Sequence, residues 1–193
     1  MSGQEHPNVG MSSGIASVDV RRIGAGDVLA VRAFFDSVPE GDRTFFREDV
    51  SSPGVIESWT TDVDAHRFVA LVDGSIAGYL AVLPGVAWSR HVAELRLVVG
   101  PDHRRMGVGR SLARHAVVES AGIGVTKLVV EVVAQQEPTV AMFSALGFEA
   151  EGLLKDHVRS LDGEVHDLLV LSHFVDDLWS AMTTMGIDDA VGQ

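Results

Sequence analysis

The sequence predicts an α/β fold of the mixed α+β kind, a central sheet of parallel and antiparallel strands with helices on its faces. Three observations carry this. Two β-rich runs, Arg67 to Val72 and Ser75 to Leu83, are joined by Asp73-Gly74, a strong two-residue hairpin signal. A strand over Val92 to Val99 feeds a Gly-rich turn and a helical pattern, after which Lys127 to Val133 is a continuous β-branched run of the kind covered on both faces. Near the end, Phe148 to Val158 and Val165 to Ser172 read as a second hairpin across Leu161-Asp162-Gly163.

The remaining elements follow in order. Met1 to Ala16 is polar and rich in Gly and Ser, and is expected to be a loose tail without the apolar stretch of a signal peptide. Val18 to Ile23 alternates as a strand does, and Gly24 to Gly26 turns the chain into a helix that Asp27 is placed to cap and that runs to about Ser37. Ser52-Pro53 offers an N-cap with Pro at the first helical position for a helix toward Trp59. Val108, Leu112, Ala116 and Val117 recur at helical spacing within Arg105 to Ala121, and Gly122 and Gly124 stop that helix. Pro138 to Leu146 reads as a short helix closed by Gly147. The order is β-α-α-β-β-β-α-β-α-β-β in one domain over residues 17–175, with residues 176–193 as a C-terminal extension.

Composition narrows the function. A chain of 193 residues with 46% hydrophobic content buries a core without staples. It has no cysteine, so disulfides, thiolate-zinc sites and a Cys nucleophile are excluded, and a cytoplasmic location is expected. No run reaches the roughly 18 apolar residues of a spanning helix, so no membrane partner is expected. A formal charge of −12 argues against nucleic acid, whose backbone is bound by Lys and Arg.

That charge is unevenly placed. From Asp36 to Asp64 there are eight acids (Asp36, Glu40, Asp42, Glu48, Asp49, Glu57, Asp62, Asp64) against Arg43 and Arg47, whereas His103 to Val118 holds Arg104, Arg105, Arg110 and Arg114 and no acid. A solvated helix face would account for the arginines alone. The glycines beside them point to a local anionic ligand.

The decisive stretch runs from Glu94-Leu95-Arg96-Leu97-Val98-Val99, through Gly100-Pro101-Asp102-His103, into Arg104-Arg105-Met106-Gly107-Val108-Gly109-Arg110-Ser111 and a helix. A strand entering a Gly-rich turn at a helix N-terminus lets the backbone approach an anion and converges N–H groups on it. A Walker loop fails because Arg104 stands where its first Gly should and Arg110 precedes Ser111; a dinucleotide fingerprint fails because Leu112 stands where its third Gly should. Arg/Gln-x-x-Gly-x-Gly/Ala is met by Arg104, Gly107 and Gly109.

With this motif, the strand before it and Leu146-Gly147-Phe148 after the next strand and helix, the chain from about Val18 to Ser172 resembles the GNAT (Gcn5-related) N-acetyltransferase superfamily. The resemblance implies acetyl-CoA, or coenzyme A, as cosubstrate. It also implies that the strands either side of the loop splay apart to admit the pantetheine arm. Backbone groups of Leu97 and Val99, with Val98 between them, would bond that arm. The N–H groups of Arg105, Met106, Gly107, Val108, Gly109 and Arg110, with Ser111, would hold the pyrophosphate, and Arg104 and Arg105 would add charge. The resemblance allows a homodimer.

Transfer to an amine requires a base, because an alkyl ammonium of pKa about 10 has no lone pair. Glu94 lies near where family members carry a catalytic glutamate; its other reading is a carboxylate paired with Arg96, two residues on along the same strand face. The family commonly protonates the leaving thiolate with a Tyr four residues before the Gly-Phe turn. Here that position is Phe143, and the chain's sole Tyr, Tyr79, is on another strand. Glu137 replaces an Asn that often contacts pantetheine. Glu131 is a second carboxylate candidate. His157 and His166 could face each other across the last hairpin, without a third ligand for a metal site. Trp59, Trp88, Phe45 and Phe46 could line an acceptor pocket, although core packing is their commoner role.

Three readings follow. The first is acyl transfer from acetyl-CoA to a primary amine of a cationic small molecule or a protein lysine, favoured by the acids of Asp36 to Asp64. The second is a non-catalytic acyl-CoA-binding or regulatory module, motivated by Phe143. The third is a phosphate-binding fold unrelated to coenzyme A.

Overall fold

The computed structural model describes residues 18–39, 48–160 and 162–175. The expectations for the N-terminal tail, for Glu40, Asp42, Arg43, Phe45, Phe46 and Arg47, and for the extension after residue 175 lie outside the described residues. The elements are β1 (Asp19–Arg22), α1 (Val28–Ser37), α2 (Val55–Trp59), β2 (His66–Val72), β3 (Ser75–Pro84), β4 (Val92–Val99), α3 (Val108–Gly122), β5 (Lys127–Val133), α4 (Glu137–Ser144), β6 (Glu149–Arg159) and β7 (Val165–Phe174). Their order is the one the sequence predicts.

The strands form one seven-stranded sheet ordered β1-β2-β3-β4-β5-β7-β6. All neighbours pair antiparallel except β4 and β5, which run parallel. Asp73 (φ 51°) and Gly74 (φ 79°) are both left-handed, as a type I′ turn between β2 and β3 demands. Alternation along β3 and β4 divides the core. Leu80, Val82, Leu95, Leu128 and Val130 pack under Leu112, Ala113 and Ala116 of α3. Val69, Tyr79 and Ala81 pack on the opposite face under Val31, Phe34 and Phe35 of α1 and Ile56 and Trp59 of α2.

Four local expectations are corrected. Asp27 does not cap α1 with its side chain; its carboxylate accepts from the Gly24 N–H (2.8 Å) across a 3-10 turn and is bound by Arg21 (2.7 and 2.8 Å). The second helix starts at Val55 rather than Pro53, because Gly54 is left-handed (φ 84°) and the Ser52 hydroxyl donates to Asp49 (2.6 Å). Helix α3 starts at Val108 rather than Arg105, because Arg105 (φ 62°) and Gly107 (φ 85°) are left-handed. In the last hairpin His166 pairs with Val158, and the irregularity between Leu154 and Val158 takes His157 out of register, so the two histidines are not partners. Instead His166 Nε2 lies 3.2 Å from the Ser160 hydroxyl. Among the described residues no helix is long and apolar enough to cross a membrane, and no cluster of three metal-ligating side chains occurs.

Candidate active site

The site begins where the sheet parts. Strand β4 pairs with β5 only from Val92↔Lys127 to Leu95↔Val130. Beyond that, Arg96 to Val99 continue to pair with β3, and Glu131 to Val133 with β7. The β5-facing edge of Arg96–Val99 therefore lies inside the sheet without a ladder partner across the gap, and a half-buried strand edge in that condition calls for an extended ligand or water. Leu97 and Val99 pack toward α3 while Val98 packs toward α1 and α2, which anchors the strand from both sides.

At the end of this gap the chain makes a 3-10 turn over Pro101–His103 and an exposed loop. Arg105 and Gly107 are left-handed with Met106 between them at negative φ, an alternation that turns successive N–H groups toward a shared concavity. The N–H groups of the first turn of α3, at Val108, Gly109 and Arg110, have no partner within the helix. The Val108 side chain is buried and pins the helix to the sheet, so only its main chain is left for any ligand at the loop. Ser111 donates its N–H to the Gly107 carbonyl (3.0 Å). Arg104, Arg105, Met106 and Arg110 are exposed. A Cβ on Gly109 would stand 2.9 Å from Met142 Sδ of α4 and 3.5 Å from Val99 Cγ2, so this glycine also makes a packing contact.

Glu94 stands on the α1/α2 face of β4 and is joined to Arg96, which donates from Nε to Oε1 (2.8 Å) and from Nη2 to Oε2 (3.3 Å). The same-face pairing read from the sequence is therefore present. Its continuation was not foreseen. Arg96 Nη1 donates to Glu48 Oε2 (2.9 Å), and Glu48 also accepts from Arg67 Nη2 (3.0 Å), Arg67 Nη1 (3.1 Å) and Trp59 Nε1 (3.0 Å). Arg67 stacks over the Trp59 ring, 4.6 Å from its centroid, and donates to the Tyr79 hydroxyl at 2.5 Å. Burial alone would lower the Arg67 and Arg96 guanidiniums, but the neighbouring oxygens outweigh it and raise both.

Several expectations move accordingly. Tyr79 is fully buried, and burial raises its phenol, so it keeps its proton inside the core away from the gap. Trp59 is core, and Trp88 is 94% exposed in the turn between β3 and β4, so neither lines a shared pocket at the loop. Phe143 is buried edge-on against Phe148 (5.0 Å), which accounts for an apolar residue there. Glu131 lies on the same face as Glu94, just past the point where β4 and β5 part. Glu137 is the first residue of α4.

A family model described as the acetyltransferase (GNAT) family matches residues 31–148, well over half of the chain. The chain belongs to the GNAT acetyltransferase family. This removes the reading as an unrelated phosphate-binding fold. Streptothricin acetyltransferase of Streptomyces lavendulae is 34% identical over 109 residues, and phosphinothricin N-acetyltransferase of Streptomyces viridochromogenes is 26% identical over 145. These matches cover 56% and 72% of this chain and span 57% and 78% of the two relatives. Among solved structures, ribosomal-protein-alanine N-acetyltransferase from Brucella melitensis superposes with TM-score 0.70 at 23% identity, covering 81% of this chain and 99% of that one. A Salmonella typhimurium acetyltransferase with its cofactor acetyl-CoA superposes with TM-score 0.68 at 18% identity, covering 82% and 94%. Likeness at these identities establishes the shared GNAT fold.

Acetyl-CoA is the cosubstrate of this family, and the residues present fit it. An interior sheet edge suits an amide-bearing arm, and an exposed left-handed turn with helix-start amides and arginines suits a diphosphate.

Proposed function

We propose that the protein is an acetyl-CoA-dependent N-acetyltransferase that acylates a primary amine of a small molecule or of a protein lysine. The observation that carries this is the parting of β4 from β5 after Leu95 and Val130, with Glu94 at one end of the opening and the Arg104–Ser111 loop at the other. When bound, acetyl-CoA supplies an activated acyl carbon and leaves as a thiolate. The chain's own groups do the rest. Amides from Arg105 to Arg110 and the Ser111 hydroxyl hold the diphosphate, and the main chain of Leu97, Val98 and Val99 holds the arm. Glu94 takes a proton from the acceptor's ammonium group, directly or through one water, and so exposes the nitrogen lone pair. No phenol stands ready at Phe143 or Tyr79 to protonate the thiolate. A thiol of pKa about 8.5 gives a tolerable leaving group, and water suffices for that proton.

The acidic region is a weaker guide to the acceptor than its charge count implies. Glu57 is paired with Arg32, Glu48 with Arg67 and Arg96, and Asp49 with Ser51 and Ser52. The acceptor class rests on amine chemistry, and a cationic acceptor is supported because an unacylated alkyl amine carries a positive charge at neutral pH. Initial-rate assays of thiol release over a panel of small amines and lysine peptides test the proposal. Glu94→Gln is expected to lower kcat by about 10²-fold or more, the range of a positioned base, at unchanged KM for acetyl-CoA. Absence of turnover with every acceptor would overturn it, and wild-type kcat in Glu94→Gln would remove Glu94 as the base.

A further inference from the structure

We propose that Glu48, 48 residues before Arg96 in the chain, is a positioning residue for the base, acting on Glu94 through Arg96. The proposal rests on Glu94 being the base. Its own observation is the bracket formed by one guanidinium between two carboxylates: Nε and Nη2 of Arg96 on Glu94, and Nη1 on Glu48.

A guanidinium is planar and presents its donors in a fixed fork. An arginine tied at one edge can still swing about that edge. Tied at the opposite corner as well, its plane is set, and so is the carboxylate that it grips side-on. The far corner is itself anchored at both of its oxygens. Each oxygen of Glu48 accepts two donors, Oε1 from Trp59 Nε1 and Arg67 Nη2, and Oε2 from Arg67 Nη1 and Arg96 Nη1. Trp59 and Arg67 are both buried, and Trp59 is stacked on Tyr79 with ring centroids 5.0 Å apart. Geometry fixed in the aromatic core is therefore transmitted through Glu48 and Arg96 to Glu94, whose side chain is 31% exposed beside the gap.

Charge reinforces geometry. Along the row Glu94, Arg96, Glu48 and Arg67 the signs alternate. Neutralising Glu48 sets two arginines, with side chains 5% and 16% exposed, against each other with the carboxylate between them gone. Arg96 is then pushed out of its pose and Glu94 moves with it. A base displaced by about 1 Å loses on the order of 10²-fold in rate, so even a partial shift is measurable.

The test is a double-mutant cycle on the full chain with acetyl-CoA and whichever amine turns over, with the fold of each variant checked by thermal melting. Glu48→Gln is expected to lower kcat roughly tenfold or more while leaving KM for acetyl-CoA unchanged, and to cost less than about twofold when added to Glu94→Gln, because residues acting through one another are not additive. Arg96→Lys keeps the positive charge beside Glu94 but has no fork to span both carboxylates, and it is expected to lower kcat comparably. If Glu48→Gln does not fold, Arg96→Lys decides alone, and a wild-type kcat overturns the proposal. The same follows if Glu48→Gln costs an equal factor in both backgrounds. Should Glu94→Gln itself turn over normally, the base assignment falls, an outcome separable from failure of the bracket.

Discussion

Gly109 in the first turn of α3 and Met142 on α4 are held so close that a methyl group added to the glycine would stand 2.9 Å from the methionine sulfur. A side chain there would require the Met142 thioether to turn aside, while its contact with Val99 would be an ordinary one. The glycine of the loop motif thus makes a packing contact beside the role proposed for it in letting main chain approach a phosphate.

Gly109→Ala is expected to change stability by less than about 1 kcal/mol, because Met142 is a flexible, half-buried side chain that can swing aside and the helix propensity gained offsets what that shift costs. Met142→Ala frees that space altogether, so combining the two should leave Gly109→Ala no less favourable than it is alone. Urea unfolding of the four proteins of the cycle measures it, and additive losses would mean that the two residues do not compete for the same space.

Tyr79→Phe deletes the hydroxyl that accepts from Arg67 and leaves the ring stack in place. A hydrogen bond to a charged group is worth about 1.5–3 kcal/mol, so unfolding free energy should fall by that order while amine acetylation persists. Lost turnover in a stably folded Tyr79→Phe would show that the hydroxyl, which holds Arg67 on Glu48, also bears on the base.

His115 lies edge-on to Phe68 (4.4 Å), and burial lowers its imidazole below the ordinary value of 6.5 against a smaller opposing pull from Glu119. Below that ordinary value the unfolded chain binds a proton that the folded chain refuses. Stability contributed by neutral His115 is therefore complete above about pH 6.5 and is lost as pH falls toward the folded-state value. Denaturation midpoints measured from pH 7.5 to 5 should decline less steeply in His115→Phe than in the parent. Parallel slopes would show that this histidine does not set the acid sensitivity.

Local chemistry explains what the sequence made legible. Asp73-Gly74 announces a turn because both residues must be left-handed, and Lys127 to Val133 announces a central strand because every residue between its Lys and its Glu, and after the Glu, is apolar. Glu94 and Arg96 could be paired on paper because a strand repeats every two residues. Boundaries failed where a backbone changes hand with no residue type that requires it, as at Arg105. Glu48 was legible only as one acid among eight, because its partners Trp59, Arg67 and Arg96 lie 11, 19 and 48 residues away and meet it only once the sheet is built. A tally of charges knows nothing of who neutralises whom, so the acidic stretch looked freer to greet a cation than its ion pairs allow.

The short parallel contact between β4 and β5 is also a fault line. Four facing positions stitch the strands from β1 to β4 to those from β5 to β6, with α3 and α4 packed across the join. A molecule built this way keeps an open backbone seam in the middle of its sheet, along the edge proposed for the acyl donor, and a filled seam is a mended one. If the donor lies there as proposed, starving the protein of it would loosen its architecture as well as idle its chemistry.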